Sequence, residues 1–245
     1  MTAAGAASGA SWAARLAARR AWEPPERRGG GRALAVTAHP DDEVLALGGV
    51  LVTLAARGWA VDLLVLTDGE ASYPGLGADA GRRLAAVRRA ELDAAWQRLG
   101  LAERGRVLRA GLPDTRLPEV EEEVRSAVVR AAAAGGAPDL VLGLWEHDPH
   151  RDHACAARAA AALAAELGVP SVRAPLWARV WWASGDERVP WGSVTRVPLG
   201  EEARERLSRA LAAHASQVVG FEGAGPLLAP GALTALAGDG LVVVP

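Results

Sequence analysis

The stretch Ala33-Leu34-Ala35-Val36-Thr37-Ala38-His39-Pro40-Asp41-Asp42-Glu43 decides the fold. Its first six residues, Ala33 to Ala38, read as a short strand buried on both faces. The chain then turns through His39-Pro40 into three acids that open a helix, and Pro40 suits a first helical position. A second stretch has the same form. Asp139 to Leu144 reads as a buried strand and runs into Trp145-Glu146-His147-Asp148-Pro149-His150-Arg151-Asp152-His153.

Between and around these stretches, strand and helix alternate. Glu43 to Arg57 is expected to be helical and to end at Gly58. Trp59 to Leu66 is a second buried strand, and Arg82 to Leu99 a long helix ending at Gly100. Val107 to Ala110 is a third strand. Pro118 to Ala134 is a helix whose early glutamates, Glu119 and Glu121 to Glu123, suit the helix dipole. Asp152 to Leu167 is a helix ending at Gly168. Four alternations with short links predict an α/β, Rossmann-like, mostly parallel sheet with helices on both faces. Beyond Pro170 the rhythm changes. Ala178 to Ala183 and Ser193 to Pro198 are expected as antiparallel edge strands in the C-terminal third, and Glu201 to His214 as a helix. Ser216 to Pro245 is rich in Gly and Ala and shows no clear pattern.

Pro24-Pro25 and Gly29-Gly30-Gly31 place the start of the domain near Arg32. Residues 1–31 are then an N-terminal arm, frayed or docked as a helix, and residues 32–245 a single domain. Arg19-Arg20 is not followed by the apolar stretch that a leader needs, so the cytoplasm is the expected compartment.

Composition narrows the function classes. The 245 residues carry a net charge of -2, which excludes a strong overall pull toward nucleic acid or an anionic membrane. No apolar run reaches the ~20 residues that span a bilayer. One cysteine, Cys155, excludes an internal disulfide and a Cys-rich zinc site. Lys, Asn and Ile are absent while Ala and Arg abound, as in proteins of GC-rich genomes, so Arg counts and Ala runs carry no functional weight here. No G-x-G-x-x-G follows the first strand and no P-loop occurs, so nothing supports nucleotide binding.

The chemistry is concentrated in the two loops. Functional loops of open α/β sheets gather at the carboxyl ends of the strands. Of the five histidines, only His214 lies outside the two stretches. Imidazoles and carboxylates are the usual ligands of a catalytic zinc, which keeps three protein ligands and one open position. His39 and Asp42, three residues apart on a pre-set turn, could point at one ion, with His150 or His153 as the third ligand. Asp41 would stay free to take a proton from water. Glu43 reads equally as helix capping. His147 reads as loop and Cys155 as packing.

The motif Ala38-His39-Pro40-Asp41-Asp42-Glu43, with the strand before it, resembles the PIG-L/LmbE-like zinc deacetylase family. The resemblance extends through Thr67-Asp68-Gly69-Glu70, Arg88 with Glu91, Gly111-Leu112-Pro113-Asp114 and His150-Arg151-Asp152-His153. It covers about Ala33 to Leu167; the first and last motifs are specific as a pair, and the middle ones are weak singly. The C-terminal third matches loosely, at Ala213-His214-Ala215-Ser216-Gln217. The resemblance implies that His39, Asp42 and His153 bind Zn²⁺ and that Asp41 is the general base. It implies that His150 stabilises the oxyanion or protonates the leaving amine. Arg88 and Asp114 match positions that face the substrate in some members. Against this, Arg88 reads equally as a solvated helix face and Asp114 as a cap. Arg151 stands where the family commonly has Pro. His214 would close over the site on the family match alone.

The expected function is removal of an N-acetyl or other N-acyl group from a small amino sugar or glycoside, with no nucleic-acid or membrane partner. The same chemistry on a non-sugar conjugate or natural product would need an apolar tunnel built by the C-terminal third. A catalytically silent binding relative is the third reading. Tyr73 is expected as loop decoration, and Trp145, Trp177, Trp181, Trp182 and Trp191 as core or sugar-stacking residues.

Overall fold

The computed structural model describes residues 12–27, 29–236 and 240–244. The first strand, β1 (Arg32–Thr37), leads into a short helix α1 (Asp42–Leu45) and then α2 (Gly48–Ala56). There follow β2 (Ala60–Thr67), α3 (Ala78–Arg98), β3 (Val107–Leu112), a 3₁₀ turn (Leu117–Glu119), α4 (Glu121–Gly135) and β4 (Leu140–Leu144). The chain continues through α5 (Arg151–Leu167), β5 (Ser171–Ala174), α6 (Trp177–Trp181), β6 (Val194–Val197), α7 (Glu201–Leu211), α8 (Ala215–Val218), α9 (Pro230–Leu236) and β7 (Gly240–Val243).

These strands form one sheet in the order β3-β2-β1-β4-β5-β7-β6. The first five are parallel, and β7 runs antiparallel between β5 and β6. The mostly parallel α/β sheet read from the sequence is therefore the observed architecture. Burial explains the patterning. All of β4 and all but the first residue of β1 are buried, as strands covered on both faces must be. Helices α4 and α5 pack together on one face, and α2, α3 and α7 meet on the other. The order reverses between β1 and β4, and this switch point is where ligands bind in open α/β sheets.

Three local readings are corrected. The expected helix Glu43 to Arg57 is two helices. Leu47 N–H reaches back five residues to Asp42 O, and Gly48-Gly49 follows. Two glycines weaken a helix, and their bare backbone admits Leu207, whose Cδ2 would lie 2.5 Å from a Cβ at position 48. The expected strand Ala178 to Ala183 is instead α6 and the residues after it. The cause is remote: the Asp148 carboxylate accepts the N–H groups of Leu176 (2.8 Å) and Trp177 (2.9 Å) and so caps a helical turn. Last, β5 and β7 were not expected from the sequence, and β7 comes from the Gly- and Ala-rich tail.

The described part of the arm is docked. Residues 12–17 are helical, and Trp12 is buried against Trp191 at 5.3 Å between ring centroids. Arg20 O and Trp22 N–H pair with Arg196 at the β6 edge. No helix among the described residues is long and apolar enough to cross a membrane. Trp12→Ala should therefore lower the stability to chemical denaturation by about 3 kcal/mol. A loss within about 0.5 kcal/mol, as for a surface substitution, would contradict a docked arm.

Candidate active site

The loops after β1 and β4 meet at the switch point. The turn after β1 is fastened from within and from β2. Asp42 Oδ2 folds back to accept the N–H groups of Ala38 (3.1 Å) and His39 (2.9 Å). Thr67 donates to Ala38 O through both its N–H (2.9 Å) and its hydroxyl (3.0 Å). These bonds turn the His39 ring and the Asp42 carboxylate toward the start of α5, where His153 is fully buried.

Three side chains converge there, with Asp42 presenting one oxygen to each ring. His153 Nε2 lies 3.2 Å from Asp42 Oδ1 and 3.3 Å from His39 Nδ1, which in turn lies 3.6 Å from Asp42 Oδ2. Ligands bound at ~2.0–2.1 Å to a tetrahedral zinc stand about 3.3–3.4 Å from one another, and the two edges that meet at His153 Nε2 match that spacing. The outer nitrogens fit it too. His39 Nε2 lies 3.2 Å from Asp114 Oδ1 and 3.3 Å from Asp152 Oδ2, and His153 Nδ1 lies 3.3 Å from Asp148 Oδ1. A carboxylate hydrogen-bonded to the far nitrogen fixes the ring tautomer and leaves the near lone pair for a metal, as Asp152 does for His39, while Asp148 approaches His153 Nδ1 without hydrogen-bond geometry. Two triads among the described residues have donor atoms all within 4.8 Å of one another, His39 with His150 and His153, and His39 with Asp114 and Asp152; Asp42 belongs to neither.

Ionisation follows this arrangement. Burial opposes the His39 imidazolium, but hydrogen bonds to Asp114, Asp152 and Asp42 outweigh it and raise its pKa well above the usual value. Burial likewise opposes the His153 imidazolium, yet Asp42 and Asp148 raise it to about 9. Burial would lift Asp42, but His153 and His39 hold it well below the carboxylate range. The cluster binds positive charge, and ring protons occupy the place that a divalent cation would take.

Asp41 is kept apart. Its backbone lies at φ 116°, a conformation that side chains other than Gly rarely adopt. Glu43 Oε2 accepts its N–H at 2.8 Å, and Arg88 Nη2 stands 3.3 Å from its Oδ2. Burial pushes the Asp41 carboxyl up to about 6, with Arg88 pulling against it. His150 stands over the rings of His39 (4.9 Å) and His153 (4.6 Å). Its Nδ1 is buried and lacks a partner among the described residues. Burial first, then the charges of His153 and His39, depress its pKa to about 4.

Arg88 is not on a solvated face: it is 2% exposed. Besides Asp41, its guanidinium reaches Pro40 O and, at 3.1 Å, Gly69 O. Gly69 is required for this, since at φ +68° a Cβ would lie 1.9 Å from Arg88 Nη1. Asp114 is no simple cap either; it faces His39 while Oδ2 accepts Ala71 N–H at 2.9 Å. Tyr73 donates its hydroxyl to Ser216 O (2.6 Å) and Gly225 O (3.1 Å), tying its loop to the C-terminal segment. Trp145 is core, Trp191 stacks on Trp12, and Arg188 covers Trp182. Trp181, 46% exposed, stacks on Trp177. Burial lifts the Cys155 thiol to about 11, in keeping with packing.

The sequence reading missed Asp148 and Asp152 as the carboxylates behind the two rings, and Glu43 as the partner of His214. Asp148 carried a signal, the turn-forming Asp-Pro pair. His214 does not lie over the site as a lid. It is buried, with Nε2 2.7 Å from Glu43 Oε1. A cavity of about 740 Å³ opens beside the cluster, lined by Asp68, Glu70, Tyr73, Arg82, Arg89 and Leu112 among others. Glu70 accepts Asp114 N–H at 2.9 Å and so borders both the cavity and the cluster.

A doubly wound sheet with imidazoles and carboxylates at its switch point defines the class, an α/β enzyme with a site at the strand carboxyl ends. A family model described as PIG-L, GlcNAc-PI de-N-acetylase, matches residues 34–164. A 1D-myo-inositol 2-acetamido-2-deoxy-alpha-D-glucopyranoside deacetylase of Nocardioides sp. is 30% identical over 223 residues, spanning 80% of this chain and 70% of the relative. The protein of the same name from Segniliparus rotundus is 31% identical over 250 residues, spanning 76% and 77%. The chain belongs to the PIG-L family of de-N-acetylases, which are amide-hydrolysing enzymes. Its fold is also that of a deacetylase of teicoplanin biosynthesis, with a TM-score of 0.62 at 22% identity over 87% of this chain and 98% of that one. The N,N'-diacetylchitobiose deacetylase of Pyrococcus horikoshii shares it at a TM-score of 0.59 and 21% identity, over 77% and 71%.

The protonated cluster gives a pH test. His153 titrates at about 9 in the fold against its usual 6.5. A raised imidazole pKa contributes stability that is fully present below the unfolded value and is lost as pH rises through the folded one. Without metal, Tm should therefore fall between pH 6.5 and about 9. A saturating divalent cation, by displacing the ring proton, should remove that fall. A flat metal-free profile across this window would contradict the proton-holding cluster.

Proposed function

We propose that this protein is a zinc-dependent deacetylase that removes the N-acetyl group from a small amino-sugar glycoside. The observation that carries the reading is the donor triangle of His39 Nδ1, Asp42 and His153 Nε2, with Asp41 beside it and off it. His39, Asp42 and His153 would hold the ion. When bound, it would supply a Lewis acid that polarises the amide carbonyl and acidifies water. This set is favoured over the one with His150 because both its rings have a carboxylate within 3.3 Å of the outer nitrogen, whereas the buried His150 Nδ1 has no partner among the described residues.

Asp41 accepts the proton of the attacking water. Without metal, burial lifts its carboxyl to about 6, toward the range in which a base works best near neutral pH. His150, depressed to about 4, stays neutral beside a cation and offers an N–H to the developing oxyanion. Proton return from Asp41 to the amine nitrogen completes the hydrolysis, leaving acetate and a free amine. Arg88 and Asp114 were expected to face the substrate. Their contacts support a different role: Arg88 holds the Asp41 turn, and Asp114 orients His39.

The substrate class rests on the relatives, which deacetylate an inositol-linked 2-acetamido-glucoside. The cavity next to Glu70, which mixes acidic, arginine and apolar side chains, has room for the rest of such a glycoside. One observation favours a second reading, a longer acyl chain. An apolar cavity of about 400 Å³ lies against α1, lined by Val44, Leu45, Leu199, Leu207, Leu211, Leu233 and Leu236. The C-terminal third builds most of it.

Acetate release from the N-acetylglucosaminyl inositol should vanish with chelator and return with zinc. Asp41→Asn should retain zinc and lose about 10²–10⁴-fold in kcat. Turnover that survives chelation, or an unimpaired Asp41→Asn, would contradict the mechanism. Faster hydrolysis of the N-octanoyl than of the N-acetyl glycoside would favour the second reading.

A further inference from the structure

We infer that the buried Glu43–His214 pair is a positioning device for Asp41. Neither side chain is exposed to solvent at all. The Glu43 carboxylate divides its oxygens. Oε1 takes His214 Nε2 at 2.7 Å, and Oε2 takes the Asp41 N–H at 2.8 Å. A carboxylate and an imidazole buried together are costly to desolvate, and apolar residues would fill the space more cheaply. The contact they make is with a strained backbone N–H of the site, that of Asp41 at φ 116°. Strained conformations persist where surrounding contacts over-determine them. Fixing this N–H fixes the direction in which the Asp41 carboxylate leaves the chain.

The pair is itself anchored. Ser216, two residues after His214, donates its N–H and its hydroxyl to the two Glu91 oxygens, each at 2.7 Å. Tyr73 grips Ser216 O. His214 O accepts Gln217 N–H at 2.9 Å and Val218 N–H at 3.1 Å, which sets α8. Glu91 lies one helical turn after Arg88 on α3, and residues three apart share a helix face. Asp41 is thus held from both ends by one helix. Arg88 holds its carboxylate, and Glu91 holds the segment whose histidine holds Glu43, which holds the Asp41 N–H. The loose C-terminal motif, Ala213 to Gln217, is in this account the brace of the proton acceptor. Among the described residues no hydrogen bond or ring contact joins His214 to His39 or His153, so loss of the brace is separable from loss of metal.

The inference rests on Asp41 being the proton acceptor, and one experiment separates the two. Steady-state kinetics on the N-acetylglucosaminyl inositol and zinc content by elemental analysis would be measured for His214→Phe, His214→Gln and Asp41→Asn. Misplacing a reacting group by about 1 Å costs about 100-fold in rate. His214→Phe, which keeps ring volume without a donor, should therefore lose about 100-fold in kcat with KM within about twofold. Zinc content should stay that of the parent. His214→Gln, whose amide N–H can still donate to Glu43, should recover most of the loss. Unchanged kcat in His214→Phe, equal damage in both variants, or zinc lost in step with activity would overturn the brace. An active Asp41→Asn would instead sink the reading of Asp41, whatever His214 does. If His214→Phe does not fold, Ser216→Ala, which deletes one bond to Glu91, should lower kcat severalfold at constant KM; unchanged kcat there would also overturn it.

Discussion

His39 Nδ1 and His153 Nε2 face each other 3.3 Å apart in a buried space. With each far nitrogen turned to a carboxylate, both near nitrogens present lone pairs, and only a proton or a cation between them makes the approach favourable. The loops at this end of the sheet are arranged around that constraint. Asp152, behind His39, takes the N–H groups of Thr115 (2.8 Å) and Leu117 (3.2 Å) after β3. Asp114, also behind His39, takes Ala71 after β2. Asp148, behind His153, takes Leu176 and Trp177 after β5. Each carboxylate that orients a ring also fastens a loop, so the site and its frame stand or fall together.

Two neighbouring aspartates show how the frame divides labour. Asp41 and Asp42 are chemically identical and adjacent, yet burial lifts one to about 6 while two imidazoles press the other well below the carboxylate range. Environments that push like groups apart in this way mark an acid–base assignment. The strained turn gives the two side chains their separate directions. Asp42 folds back on its own turn and meets the rings, and Asp41 is drawn off toward Arg88.

Much of this was legible in the sequence because it is local. The two-faced burial of β1 and β4 needs only a run of apolar residues, and the β-α alternation then dictates a parallel sheet with its site at the carboxyl ends. His39, Pro40, Asp41 and Asp42 lie in one turn whose chemistry can be read in place. The unread parts depend on partners far along the chain. A helix at Trp177 is set by Asp148, about thirty residues earlier, so no local period announces it. The break after Leu45 answers to Leu207 on α7. Arg88 looks like one arginine among many on α3, and only packing shows it spent beneath the turn. Strand β7, by contrast, carries a local signal, the valine-rich run Leu241 to Val244, masked by the glycines and alanines before it. His214 became meaningful only when α8 brought it to Glu43.

The central claim is that one ion sits between His39 Nδ1, Asp42 and His153 Nε2. Anomalous diffraction at the zinc edge from zinc-loaded crystals tests it most directly. A single strong peak is expected about 2.0–2.2 Å from each of those three groups, with Asp41 outside bonding distance. A peak among His39 Nε2, Asp114 and Asp152, the other side of the same ring, would contradict it.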